Sequence, residues 1–226
     1  MRFISVSALL FISVVSAHAG VITHNFGFDP SDADPTTDWN KTLTSVQKFN
    51  SSLGTLQSVT VSYTGTINSV WNFENRSPNS GATLTGTSTA ALDLLMGSDF
   101  DTADRLLSLS PGVSVSYQVG KYDGITDFAG TSGRSQLFSE TKSGSVLYTG
   151  ADLNRFIGSG SFSFLATASA SVGYTVTGGN NRVLVETGAT TSGSVTYNYV
   201  AAPVPEPASM TALVLGVATL VRRRKR

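Results

Sequence analysis

The 226-residue sequence has no cysteine, only two histidines and only 13% charged residues. Without cysteine the protein forms no disulfide and has no thiolate nucleophile, no cysteine-held zinc and no iron–sulfur cluster. The sequence also lacks an apolar run long enough for an ordinary membrane span. The 15 uncharged residues at 207–221 would span roughly 22 Å as a helix, whereas a bilayer core is about 30 Å thick.

The N-terminus has the pattern of a secretory signal peptide at residues 1–19. Arg2 supplies one positive charge, and an apolar stretch follows from Phe3 to Val15. Ala17 and Ala19 then form a small-x-small pattern, which predicts cleavage after Ala19. The first histidine, His18, would leave with this peptide, so the mature chain would keep only His24.

The C-terminus has three parts in a fixed order. A Pro-rich linker at 201–207 precedes a short hydrophobic helix at 208–221, which is followed by a basic tail at 222–226. Basic residues beside a membrane segment stay in the cytoplasm, so the tail would stop translocation while the body is exported. The linker contains the motif Val204, Pro205, Glu206 and Pro207, and the tail consists of Arg222, Arg223, Arg224, Lys225 and Arg226.

This combination resembles the PEP-CTERM sorting signal of Gram-negative bacteria, which often make extracellular polysaccharide. The resemblance implies that an exosortase-type membrane protease processes the chain near the Pro-Glu-Pro motif. The helix would then hold a membrane-anchored precursor only until processing, and the mature protein would lie at the cell surface or outside the cell. Proline at 203, 205 and 207 favours an extended, unpaired backbone that fits a protease groove.

The body at residues 20–200 is long enough for a single domain with its own core. Without the two signals it keeps nine Lys and Arg against 14 Asp and Glu, a net charge of about −5, which does not favour nucleic acid. Apolar residues alternate with Ser and Thr in "SVTVSYTGTI", "GVSVSYQV", "ASVGYTV" and "GSVTYNY". This period of two predicts an antiparallel β-sandwich or jelly-roll-like domain built from many short strands.

Several segments carry more specific predictions. Ile22, His24, Phe26 and Phe28 suggest a first strand, and the turn at Gly178–Asn181 suggests a hairpin. Residues 90–109 fit either a helix, from the spacing of Leu92, Leu95 and Met96, or a strand and a loop. Residues 150–158 suggest one helical turn with Asp152 near its start.

Part of the body resembles the choice-of-anchor E type of domain. The matching stretches are "FNSSLGTLQSVTVSYTG" at 49–65 and "DFAGTSGRS" at 127–135. In the first stretch, Asn50 and Ser51 stand where that family usually has Asp-Pro. The resemblance implies an exported, sandwich-like domain with a C-terminal anchor, and it implies no activity.

The sequence of the body contains two candidate ligand sites. Asp29, Asp32, Asp34 and Asp38 form an acidic stretch that could supply oxygen ligands to calcium, but its two prolines favour a turn-rich loop instead. Trp71 and Phe73 share one strand face, where they could form an aromatic platform for sugar, although such a pair is more often core. We expect neither a metal nor another cofactor.

The sequence favours a protein that is not an enzyme. A Ser-His-Asp triad would depend on His24 alone, and no motif pairs Glu74 with a second carboxylate. The prediction is therefore a structural or adhesive protein in a polysaccharide-rich matrix, with extracellular polysaccharide as a possible partner. A carbohydrate-binding module and a secreted hydrolase are the alternatives; a deep cleft of carboxylates around His24 or Glu74 would favour the hydrolase.

Overall fold

A computed structural model describes residues 18–27, 38–97 and 104–202. Within these residues the strands, in chain order, are β1 (Ala19–Gly27), β2 (Trp39–Thr42), β3 (Val46–Gln47), β4 (Gly54–Asn75), β5 (Ala82–Met96), β6 (Arg105–Leu109), β7 (Gly112–Val119), β8 (Gly133–Tyr148), β9 (Ser161–Phe162), β10 (Phe164–Thr177) and β11 (Asn181–Ala201). Two short 3₁₀ helices, Ser51–Leu53 and Gly150–Phe156, connect them.

The strands form two antiparallel sheets that pack face to face. The front sheet has the order β1-β11-β4-β8. The back sheet has the order β2-β10-β5, and β5 then pairs with β6 along one part of its length and with β7 along another. The short strands β3 and β9 form a separate ladder. The predicted antiparallel β-sandwich is therefore confirmed.

Period-two alternation explains why these segments form strands with one buried face. On β4, Val59, Val61 and Tyr63 are fully buried, whereas the intervening Thr60 and Ser62 are partly exposed. Each buried Val, Phe or Leu side chain contributes about 1.5–3 kcal/mol relative to an exposed one. The inner faces of the two sheets supply most of the core, which is joined near one end by Phe49 and Phe156.

The long strands extend beyond the alternating stretches seen in the sequence. "ASVGYTV" is part of the 14-residue strand β10, and "GSVTYNY" is part of the 21-residue strand β11. β1 ends at Gly27, so the predicted strand residue Phe28 lies outside the described residues. The first and last described strands lie side by side in the front sheet, where Ala19 pairs with Val200.

The turn at Gly178–Asn181 is not a hairpin, so that prediction is wrong. β10 pairs with β5 in the back sheet, whereas β11 pairs with β4 and β1 in the front sheet. The chain crosses between the sheets here, with Gly178 at φ 104°. A Gly-rich turn is needed for either connection, so the local sequence does not distinguish them.

Two ambiguous segments are resolved. In 90–109, Leu92, Leu94 and Leu95 are buried in strand β5 and strand β6 follows, so the strand interpretation holds for the described residues. The predicted helical turn is the 3₁₀ helix Gly150–Phe156, with Asp152 in its first turn.

Among the described residues, no helix has the length and apolarity required to cross a membrane. The predicted hydrophobic helix at 208–221 lies outside these residues, as does most of the predicted signal peptide. Ala19, where cleavage is predicted, is the first residue of β1. Cleavage there would leave Gly20–Gly27 to pair with β11.

Candidate functional surfaces

The predicted aromatic platform for sugar is not on the surface. Trp71 and Phe73 are both 0% exposed and lie on the inner face of β4. They pack in a core cluster with Leu84, Val115 and Tyr117. The prediction of sugar contact at Trp71 and Phe73 is therefore wrong, because this face of β4 is covered by the back sheet.

Most other predicted site residues lie outside the described residues. These are the cleavage residue Ala17, the acidic residues Asp29, Asp32 and Asp34, the sorting motif 204–207 and the basic tail 222–226. Asp38 is described, and its Oδ1 atom accepts a hydrogen bond from the Ala170 backbone N–H at 3.1 Å. In the described ranges no three His, Asp or Glu side chains are grouped so that they could hold a metal ion.

The outer surface of the front sheet carries a central array of hydroxyl groups, here called the front hydroxyl face. Its rows run across the sheet: Thr64 lies opposite Ser192 on β11 and Ser143 on β8. Thr64 and Ser143 share a hydrogen bond of 2.8 Å. The face comprises Thr60, Ser62, Thr64, Thr66, Thr141, Ser143, Ser145, Thr190, Ser192, Ser194 and Thr196.

The back sheet has a similar outer surface, here called the back hydroxyl face. Thr85 lies opposite Thr175, and their hydroxyls hydrogen-bond at 2.8 Å. An open depression of about 420 Å³ lies beside them, where Gly173 on the outer face carries no side chain. The face comprises Thr83, Thr85, Thr87, Thr89, Ser114, Ser116, Ser171, Thr175 and Thr177.

The regular spacing of these hydroxyls follows from sheet geometry. Neighbouring strands are about 4.8 Å apart, and successive outward residues on one strand are about 6.6 Å apart. Each hydroxyl donates one hydrogen bond and accepts others, and threonine is stiff at χ1. Such a regular, uncharged lattice suits hydrogen bonding to another polyhydroxylated surface.

Sequence reasoning missed a buried carboxylate at one end of the sandwich. Glu74 is fully buried, although strand alternation after the inward-facing Phe73 would place it on the outer face. Its Oε1 atom accepts a hydrogen bond from the Ser132 hydroxyl at 2.5 Å, and its Oε2 atom accepts one from the Phe128 backbone N–H at 2.7 Å. Glu74 thus fixes the loop between β7 and β8 over the end of β4.

A second carboxylate orders the same loop from within. Asp123 accepts hydrogen bonds from the backbone N–H groups of Ile125 and Thr131. Its bond to Ile125 above all, with those to Ser132 and Thr131, lowers the pKa of Asp123 below its usual value, against a smaller opposing effect of desolvation. Arg182 lies over the ring of Phe128 at 5.4 Å, which adds a contact from β11.

His24 and Glu74 do not meet in a cleft. Glu74 pairs with Arg182 on β11, whereas His24 pairs with Val195 on the same strand. The 13 residues between these two positions correspond to about 43 Å of extended strand. His24 lies on the edge strand β1 with its ring 5.8 Å from that of Tyr197, as expected for a packed edge-strand histidine.

Two buried tyrosines have hydroxyls that stay protonated. Burial is the main reason that the pKa values of Tyr63 and Tyr197 are raised well above the usual value. The Tyr197 hydroxyl donates to the Gln47 carbonyl at 2.8 Å, so it fastens β11 to β3. Both groups act in packing, and neither lies on a hydroxyl face.

Comparison with known proteins identifies the tail. Residues 203–226 match the PEP-CTERM protein-sorting motif. This match covers the tail and not the sandwich. No curated protein matches the chain.

Solved structures with some similarity include chains of infectious bursal disease virus. A structure of the infectious bursal disease virus Gx strain is 13% identical over 89% of this chain and 48% of the viral chain, with a TM-score of 0.23. A structure of the Gt strain is 12% identical over 91% and 48%, with a TM-score of 0.15. The chain thus spans about half the length of these viral chains, and scores this low add nothing to the fold seen directly in the strands.

Proposed function

We propose that the sandwich serves as a structural or adhesive component of a polysaccharide-rich matrix. The PEP-CTERM motif at residues 203–226 indicates that the chain is sorted by an exosortase-type system. The motif indicates an exported precursor that is anchored in the membrane. Delivery to the cell surface or beyond, after processing near Pro205–Pro207, is the further step of the proposal. The resemblance of residues 49–65 to the choice-of-anchor E domain belongs to the same proposal.

The observation that carries the adhesive role is the pair of hydroxyl faces. Sugar chains present many hydroxyls at short intervals, and Ser and Thr hydroxyls can both donate to them and accept from them. Because the front hydroxyl face has no charged side chain, its contacts would depend little on ionic strength. Contact with polysaccharide is therefore assigned to this face, in place of the buried Trp71 and Phe73.

The alternative of a secreted hydrolase has less support from the described residues. The carboxylate of Glu74 is occupied by Ser132 and Phe128, and His24 packs beside Tyr197. A general acid or base must instead reach a substrate proton within hydrogen-bonding distance. The binding hypothesis uses exposed groups, so it is the one we pursue.

The test is cosedimentation of the protein with the insoluble polysaccharide of its producing cells. The double variant Thr64→Val and Thr66→Val keeps the side-chain shape but removes two central hydroxyls of the front face. We expect at least a fivefold loss of retained protein, in 50 mM and in 500 mM salt alike, as on the order of 1 kcal/mol for two neutral hydrogen bonds implies.

The matched control is Thr55→Val, which removes an exposed threonine from the same strand outside the face. It should bind as the unchanged protein does. Equal retention of all variants would contradict binding of polysaccharide by the front hydroxyl face. Absence of any binding by the unchanged protein would contradict the adhesive role while leaving the sorting assignment untouched.

A further inference from the structure

One edge of the back sheet is open along much of strand β10. β10 pairs with β5 from Phe164 to Thr177, but on its other side it pairs with β2 only from Leu165 to Ala168. Among the described residues, no strand lies beside 169–177 on that second side. Because the Ala170 N–H on this side is taken by Asp38, residues 171–177 form the free part of the edge.

The backbone groups that face this edge can be identified from the bonds at its start. On the β2 side, the Phe164 carbonyl accepts from the Leu43 N–H at 2.8 Å, and the Ala170 N–H donates to Asp38. In an extended strand, the backbone N–H and C=O groups of every second residue point toward the same neighbouring strand. Val172, Tyr174 and Val176 thus direct their N–H and C=O groups toward the open edge.

The side chains at this edge are also incompletely covered. Val172 is 40% exposed and Tyr174 is 53% exposed, although both point toward the space between the sheets. The ring of Tyr174 meets that of buried Trp71 edge-on, with the ring centres 6.4 Å apart. Apolar surface and unpaired backbone groups occur together here, which is the combination that favours addition of a strand.

The strand at this edge carries no charge, in contrast to the strands at two other open edges of the sandwich. β8 has Arg134, Glu140 and Lys142 along its length, and the part of β11 not covered by β1 has Arg182 and Glu186. Such charges protect a sheet edge against pairing. β10 contains no charged residue and no proline from 164 to 177, so it can lie beside an identical strand without repulsion.

We propose that residues 172–176 pair antiparallel with the same residues of a second copy of this chain, so that the two back sheets become continuous. The register follows from the free groups. A two-fold axis at Tyr174 places Tyr174 opposite Tyr174 of the second copy, and Val172 opposite Val176. Val172, Tyr174 and Val176, whose backbone groups face the edge, then all exchange hydrogen bonds, about six in total.

The expected association is weak and depends on concentration. A contact of about five residues per strand lies below the size of a standard stable interface. It becomes effective where many copies are held close together, because linked sites raise the effective concentration.

The experiment is sedimentation equilibrium of the full chain in a mild detergent, with the detergent density-matched. The unchanged protein should show a monomer–dimer equilibrium. Tyr174→Lys and Tyr174→Glu each place like charges opposite one another across the two-fold axis, and each should raise the dissociation constant at least tenfold. An equimolar mixture of the two variants places Lys opposite Glu, so it should dimerise again.

The control variant is Ser171→Lys, which adds the same charge on the outer face opposite Thr177 of the second copy. It should dimerise as the unchanged protein does. Recovery in the Lys–Glu mixture also requires that both variants are folded, which separates loss of pairing from loss of structure.

Hydrogen exchange on the unchanged protein provides a second readout. The amides of Val172, Tyr174 and Val176 should become protected as the protein concentration rises, whereas those of Gly173 and Thr175 should be protected throughout by β5. A monomer at all concentrations, as would result if residues 28–37 of the same chain cover the edge, would overturn the proposal. A dimer whose dissociation constant is the same in the Tyr174→Lys and Tyr174→Glu variants as in the unchanged protein would also overturn it.

Discussion

Replacing Gly86 by alanine should destabilise the sandwich, because β5 passes directly over the buried ring of Trp71. A Cβ atom at Gly86 would lie 2.4 Å from Cη2 and 2.7 Å from Cζ3 of that ring. Trp71 is fully buried and cannot rotate away without displacing its core neighbours. Overpacking of this kind costs about 1–3 kcal/mol.

Gly173→Ala is the matched control on the neighbouring strand. Its Cβ would find its nearest neighbour, Thr87 Oγ1, at 4.0 Å. Since alanine removes the conformational freedom of glycine in the unfolded chain, this variant should be neutral or about 0.5 kcal/mol more stable. Urea unfolding followed by tryptophan fluorescence measures both free energies of unfolding. Equal values for the two variants would refute the placement of Trp71 beneath Gly86.

Three further predictions concern the carboxylates. Glu74→Gln should lower the free energy of unfolding by about 1.5–3 kcal/mol in urea titrations, because a neutral amide weakens the bonds from Ser132 and Phe128; an unchanged midpoint would contradict this. The lowered pKa of Asp123 means that its stabilisation of the loop is complete above the unfolded-state pKa of about 3.9 and is lost as pH falls through the folded-state pKa. The amide protection factors of Ile125 and Thr131 should therefore fall in that acidic range, and constant protection would contradict the role of Asp123. Chelation of divalent ions should leave the melting temperature unchanged, whereas calcium that raised it by several degrees through Asp29, Asp32 and Asp34 would reverse the expectation of a turn-rich loop.

The strand content could be predicted because alternation is a local property. The residues at 59, 61 and 63 share a face whatever their partners are, and the structure buries all three. Strand pairing could not be predicted in the same way. The contact of β1 with β11 joins residues 165 to 181 positions apart, from Gly27 with Ser192 to Ala19 with Val200, and no short window of sequence contains both strands.

The candidate sites show a related limit. Alternation places Trp71 and Phe73 on one face, but whether that face meets solvent or the other sheet depends on the packing of the whole domain. Glu74 escaped prediction because the loop before β8 covers the end of an outward face. The hydroxyl faces were visible as alternating Ser and Thr, yet their alignment into rows depends on the register between strands.

The most direct test of the account is the intact mass of the protein from the membrane and surface fractions of its producing cells. The account predicts that surface protein begins at Gly20 and ends near Pro205–Pro207, without the apolar segment 208–221 and the basic tail 222–226. Replacing Pro205, Glu206 and Pro207 by alanine should keep full-length protein in the membrane fraction. A full-length C-terminus on unmutated surface protein would contradict processing at the sorting motif.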